Sequence, residues 1–261
     1  MWLTLGLSRR FGSGLLRGMK TRAFAHLLTC LLLSPAWTLS FAEAPLDEEL
    51  LGMVRLVVDA DGFTNLRTGP TLQAQIAGQV PSGSVVAVEA EPKNGWVRLQ
   101  RALMTEKPLY IHGSRLKSVS AWKQVTVKDV APESRQVTLA HLGMSVSVKA
   151  VPFRAEDHRI TKDADGMHRV DGGHPWGQDG GLPRFSLSLA VELNGRTVPL
   201  PAEALRDLYE PSMESLVLLT PSDPAKQAFI WMTNGDGAGG YCVVWALENG
   251  EYRGRAVFVP F

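Results

Sequence analysis

Cysteine is scarce: the 261 residues hold two, Cys30 and Cys242. A disulfide-dense scaffold is therefore excluded. Excess charge of one sign is also missing. The chain has 27 Lys and Arg against 26 Asp and Glu, a formal net charge of +1. A nucleic-acid-binding role has no support from that balance, because affinity for phosphate backbones rests on surplus positive charge. Beyond residue 42 no apolar run reaches the ~20 residues a membrane-spanning helix needs. Neither Gly-x-Ser-x-Gly nor His-Glu-x-x-His occurs, so no catalytic residue and no cofactor is indicated by motif.

What is present divides unevenly. Residues 1–42 carry Arg9, Arg10, Arg17, Lys20 and Arg22 and no acidic residue, which leaves 22 basic and 26 acidic residues, net −4, for the rest. Lys20 and Arg22 precede a mainly apolar stretch from Ala23 to Ala36, and Ser40-Phe41-Ala42 offers small residues at a cleavage position. This is the pattern of an export signal. We expect residues 1–42 to be a signal peptide. The mature protein is then expected to be periplasmic or secreted, with no stable membrane span and Cys242 as its sole thiol.

Residues 50–119 read as many short strands separated by turns. Leu56 to Val58, Phe63 to Arg67, Ile76 to Val80, Val85 to Val88, Trp96 to Leu99 and Leu109 to Ile111 are the strand candidates. Asp59 to Gly62, Pro81 to Ser84 and Asn94-Gly95 are the turn signals. Such a series forms a small closed sheet rather than a helical domain. Four runs then carry a more specific likeness: Asp61 to Pro70, Gly78 to Gly83, Gly95 to Leu99 and Tyr110 to Leu116. In this order they resemble the bacterial SH3-like (SH3b) domain family, over residues 54–119. The charged link from Gln100 to Pro108 departs from the family pattern, lacking the Gly that often precedes the next strand. The resemblance implies a targeting or bracing module, of a kind that binds peptidoglycan or its peptides, and implies no catalysis. Trp96 and Tyr110 serve such a domain either as core or as a recognition platform. Asn65 and Arg67 either organise the adjoining turns or meet a ligand. The guanidinium of Arg67 suits a peptide carboxylate.

Residues 122–261 read as a second β-rich unit. Met144, Val146 and Val148 alternate with polar neighbours, as do Phe185, Leu187, Leu189, Val191 and Leu193. Asn194-Gly195 and Asn249-Gly250 mark hairpins. Tyr241 to Leu247 is the most apolar run after the leader. One short helix is expected near 202–209, where Leu205, Leu208 and Tyr209 have helical spacing. The whole is expected to be mainly all-β, with an SH3-like small barrel followed by a β-sandwich-like or bent antiparallel sheet. Trp176 to Pro183, Val198 to Pro201, Asp207 to Tyr209 and Gly235 to Tyr241 resemble patterns of an uncharacterised family of exported bacterial proteins. That likeness implies a discrete domain and no activity.

Four residues of this unit are candidate binding groups. His174 and Trp176 offer rings for a sugar or peptide, and Asp179 and Asp236 offer hydrogen-bond acceptors. Asp179 and Asp236 are also the acidic pair to test for glycan hydrolysis. His158, His168, His174, Asp171 and Asp179 have no compact metal-ligand spacing, and we read them as a polar loop rather than a zinc site. Asp163 to Gly166 opens like a calcium loop, but the twelfth position is His174 where Glu is required. Gly235 to Gly240 is followed by a strand rather than the helix of a dinucleotide site. No metal and no cofactor is expected. The leading reading is an exported, non-catalytic envelope protein that binds cell-wall peptide, glycan or a protein partner. A cell-wall or glycan hydrolase and a structural envelope spacer are the alternatives.

Overall fold

Asp47 opens α1 (Glu48–Gly52), the one α-helix among the described residues, by accepting a hydrogen bond from the Leu50 N–H at 2.7 Å. The computed structural model describes residues 46–89, 92–100, 107–235 and 237–260, all within one compact unit. The expected leader with Cys30, the residue Asp236 and most of the Gln100 to Pro108 link lie outside the described residues.

The strands follow the turn chemistry closely. The first segment supplies β1 (Val54–Val57), β2 (Phe63–Arg67), β3 (Ile76–Pro81), β4 (Val85–Ala87), β5 (Trp96–Arg98), β6 (Tyr110–His112) and β7 (Leu116–Ser118). They form two small sheets, ordered β4-β1-β7 and β3-β2-β6-β5. Val57, Val86, Val88, Val97 and Ile111 fill the space between them.

The second segment supplies β8 (Lys123–Thr126), β9 (Gln136–His141), β10 (Met144–Pro152), β11 (Ile160–Lys162), β12 (His168–Val170), β13 (Phe185–Leu193), β14 (Arg196–Val198), β15 (Val217–Thr220), β16 (Gln227–Asn234), β17 (Tyr241–Glu248) and β18 (Glu251–Phe258). β14-β13-β10-β9 is a four-stranded antiparallel sheet, and β18-β17-β16-β15-β8 a five-stranded one. β11 and β12 form a separate hairpin inserted between β10 and β13. The expected alternation holds: Met144, Val146, Val148, Leu187, Leu189 and Val191 are buried on one face.

The five-stranded sheet is covered on both faces. Tyr241, Val243, Trp245 and Leu247 of β17 pack into the cluster shared with β10 and β13. Cys242, Val244 and Ala246 point the other way, into a cluster shared with Leu51, Val54, Leu56, Val85 and Ala87. A strand buried on both faces loses polar alternation, which is why Tyr241 to Leu247 reads as one continuous apolar run. The SH3-like segment and the C-terminal segment thus share a core. Ser84 Oγ also donates to the Arg253 carbonyl at 2.7 Å, and Gln100 Nε2 to the Val259 carbonyl at 2.6 Å.

Asn94-Gly95, Asn194-Gly195 and Asn249-Gly250 all have positive φ at both residues, as type I′ hairpin turns require. The stretch near 202–209 differs from expectation. It forms a single 3₁₀ turn at Ala202–Ala204, continues as turns over 205–207 and reaches bridge pairing only at Leu208 and Tyr209. Proline at 199, 201 and 211 limits the helix. Leu208 and Tyr209 instead pair with Trp176 and Ser186 through backbone bridges. The apolar spacing of Leu205, Leu208 and Tyr209 serves burial without a helix.

Candidate functional site

Two cavities concentrate the candidate residues. The first, of about 430 Å³, lies on the SH3-like segment where β2 faces the β5–β6 hairpin. Asn65, Arg67 and Trp96 line it together. Tyr110 is half-buried on β6, paired in register with Arg67 and Arg98, and is not among the lining residues. Trp96 is largely buried, and the His112 ring meets it edge-on at 5.2 Å. His112 Nδ1 lies 2.7 Å from Ser114 Oγ.

Arg67 Nη1 donates to the Ala74 carbonyl at 2.7 Å, pinning the loop that follows β2. Asn65 Oδ1 accepts from Gln79 Nε2 at 3.2 Å. Both side chains therefore organise local structure while they border the groove. The two most exposed apolar groups at this site are Phe63, at 41%, and Leu72, at 68%. Sequence reasoning placed Phe63 in a strand and passed over Leu72. Alternation along β2 was the available signal for Phe63: with Thr64 buried, position 63 faces out. Arg115 lies beside Asp59 at 3.3 Å and completes a mixed-charge rim.

The second cavity, of about 530 Å³, belongs to the C-terminal segment. Three stretches singled out in the sequence meet beside it. Trp176 N–H donates to the Asp207 carbonyl at 3.0 Å, and Tyr209 N–H to the Trp176 carbonyl at 3.1 Å. The Gly235 N–H donates to the Glu210 carbonyl at 3.3 Å. Glycine is required at these crossings. A Cβ on Gly177 (φ +96°) would stand 2.5 Å from the Tyr209 carbonyl oxygen, and one on Gly239 2.9 Å from the Gln178 backbone.

Asp179 lines this cavity and is exposed. Trp176 does not line it. It is 6% exposed and belongs to the core, beside Tyr241 with ring centres 6.0 Å apart. His174 contacts Trp176 edge-on at 4.8 Å and borders a separate narrow crevice with His168. Burial, with a smaller push from Arg169, holds the His174 imidazole below its ordinary pKa against Asp207 and Asp163. Asp236, the other acid of the expected pair, lies outside the described residues.

Glu210 was missed by sequence reasoning. Its backbone has φ +48°, and its carboxylate accepts from the backbone N–H groups of Arg184 at 2.5 Å and Phe185 at 3.2 Å. It anchors the start of β13 at the cavity wall. Arg135 was missed as well, and its guanidinium lies over the Phe185 ring at 3.9 Å.

His158, the last of the three candidate histidines, pairs locally. His158 Nδ1 lies 2.8 Å from Asp171 Oδ2 and its ring stacks on Phe153. The hydrogen bond from His158 keeps the Asp171 carboxyl below its usual range. Asp163 accepts from the N–H groups of Asp165 and Met167 and from Arg169, which makes it the organiser of the β11–β12 turn. Among the described residues no group of three or more His, Cys, Asp or Glu is placed to hold a metal ion. Among them, too, no helix is long and apolar enough to cross a membrane.

The groove beside Trp96 sits where a family model for the bacterial SH3 domain matches, residues 62–114. This segment is a bacterial SH3 domain. Its presence supports a general role in binding peptidoglycan or a partner. No curated protein and no solved structure matches the chain.

Proposed function

We propose that this is an exported, non-catalytic protein of the bacterial envelope whose SH3 domain holds cell-wall peptide or glycan in the groove beside Trp96. The observation that carries the reading is the pairing of exposed Phe63 and Leu72 with Arg67 and Arg115 around one concave site. Apolar surface left uncovered next to fixed charges is the composition of a recognition groove. The net charge of −4 beyond residue 42 disfavours general attraction to anionic wall polymers, so a shaped local site has to do the binding. A protein partner of the envelope would use the same groove.

Sedimentation with insoluble peptidoglycan tests the proposal. The protein is expected in the pellet, and the double variant Phe63→Ala, Leu72→Ala is expected to be retained about tenfold less. That follows from roughly 1 kcal/mol or less of lost apolar burial at each position. Neither exposed side chain supports the core, so folding should survive the change. Protein that stays in the supernatant, or equal retention of the variant, overturns cell-wall recognition by this groove. Release of soluble muropeptides from the pellet would overturn the non-catalytic reading.

A further inference from the structure

The second cavity lies on the C-terminal segment and does not depend on the SH3 groove. We propose that it binds the carboxylate end of a short zwitterionic peptide, with Arg135 and Arg184 as the carboxylate clamp and Phe185 as the platform beneath it.

Four observations lead there. Arg135 is held by its ring contact with Phe185, at 3.9 Å, and among the described residues no carboxylate pairs with it. A guanidinium seated over a ring is held by a contact that uses none of its N–H donors, which leaves them for an oxyanion. Arg184 follows the same course. Its Nη2 reaches Glu210 Oε2 at 3.3 Å, yet the side chain is 80% exposed. The two backbone N–H groups that Glu210 holds both bond Oε1, while Oε2 takes a single N–H group of Arg184, which leaves the other guanidinium donors for a ligand.

Charge then selects the ligand. Glu133, Asp179 and Glu210 line the same cavity as the two arginines. A polyanion or a phosphate dianion would meet three carboxylates for two guanidiniums. A ligand with one carboxylate and one ammonium satisfies both sets, with the exposed Glu133 and Asp179 facing the ammonium. The apolar wall of Phe185, Leu182, Pro132 and Pro211 suits a small side chain or an aliphatic backbone segment. At about 530 Å³ the cavity falls within the range of small-ligand sites.

The floor is built for close approach, and a buried amide lies behind it. Gly177 and Gly235 bring backbone directly to the cavity. Asn234, fully buried next to Gly235, accepts from the Ser212 N–H at 3.0 Å, while its Nδ2 has no acceptor among the described residues.

Calorimetric titration of the full chain with trialanine bearing free ends tests the site. Binding is expected, with at least tenfold weaker binding for the C-terminally amidated peptide and several-fold weaker binding for the N-acetylated one. The double variant Arg135→Ala, Arg184→Ala should lose tenfold or more, and Arg135→Lys should lose part of that. Both arginines are exposed, and an unchanged thermal midpoint will confirm that the variants fold. The groove variant Phe63→Ala, Leu72→Ala should bind trialanine normally, which separates failure here from failure of the SH3 reading. The proposal is overturned by absence of binding up to millimolar peptide, by equal affinity for the amide, by an unaffected arginine double variant, or by inorganic phosphate binding as tightly as trialanine.

Discussion

Tyr241 donates its phenolic hydrogen to the Tyr209 carbonyl across 2.9 Å, with both residues buried. The bond ties the start of β17 to the ledge formed by residues 207–210, on which the second cavity rests. Burial holds the Tyr241 hydroxyl well above its ordinary pKa, so it remains a donor through the physiological range. The Tyr241→Phe variant removes that donor and leaves a buried carbonyl short of a partner. Stability should fall by about 1–2 kcal/mol, read as a lower urea midpoint at unchanged slope. An unchanged midpoint would show that the bond contributes nothing.

The shared core predicts that the SH3 segment does not stand alone. Leu51, Val54, Leu56, Val85 and Ala87 are covered by Val217, Phe229, Trp231 and Val244 of the five-stranded sheet. Cutting the chain between residues 121 and 122 uncovers apolar surface on both pieces. A fragment of residues 46–121 is expected to bind a hydrophobic dye strongly or to aggregate, whereas the uncut chain does neither. A monomeric fragment with a sharp thermal transition and no dye binding would contradict this.

Leu142 occupies an expensive position. It is 63% exposed at φ +46°, in a two-residue hairpin turn with Gly143 between β9 and β10. A leucine pays for left-handed backbone, and asparagine tolerates it better. The Leu142→Asn variant should be more stable by about 0.5–1 kcal/mol, a rise of a few degrees in thermal midpoint for a chain of this size. A lower midpoint would mean that Leu142 makes an apolar contact worth more than the strain.

Much of the β architecture was legible because it rests on local chemistry. Asn-Gly dipeptides gave three of the hairpin turns, and alternation gave the buried faces of β10 and β13. The Leu142-Gly143 turn had no such mark, since sheet pairing imposes its geometry against the preference of leucine. The spacing of Leu205, Leu208 and Tyr209 fitted a helix and a buried irregular strand equally well, and flanking prolines settled it. In the groove, Asn65, Arg67 and Trp96 came from motif, but Leu72 lies in a loop whose path no periodicity reports. Arg135, Arg184 and Glu210 meet across separations of up to 75 positions. The register of β9, β10 and β13 brings the two arginines together, and the pairing of residues 209–210 with the start of β13 adds Glu210.

The crevice that holds His174 predicts a pH dependence with a definite sign. Burial lowers the pKa of this imidazole from 6.5, Arg169 adds to the effect, and Asp207 and Asp163 oppose it. The folded state therefore resists protonation more than the unfolded chain does. Below pH 6.5 the unfolded chain takes up a proton that the folded protein refuses, so stability declines as pH falls through that value. The decline ends once the pH drops below the folded pKa, where both states are protonated. The His174→Gln variant lacks this contribution while other titrating groups remain. Urea midpoints for the two proteins between pH 7.5 and 5 should show a shallower decline in the variant. Parallel curves would mean that the imidazole is as easily protonated in the fold as in water, against its burial beside Trp176.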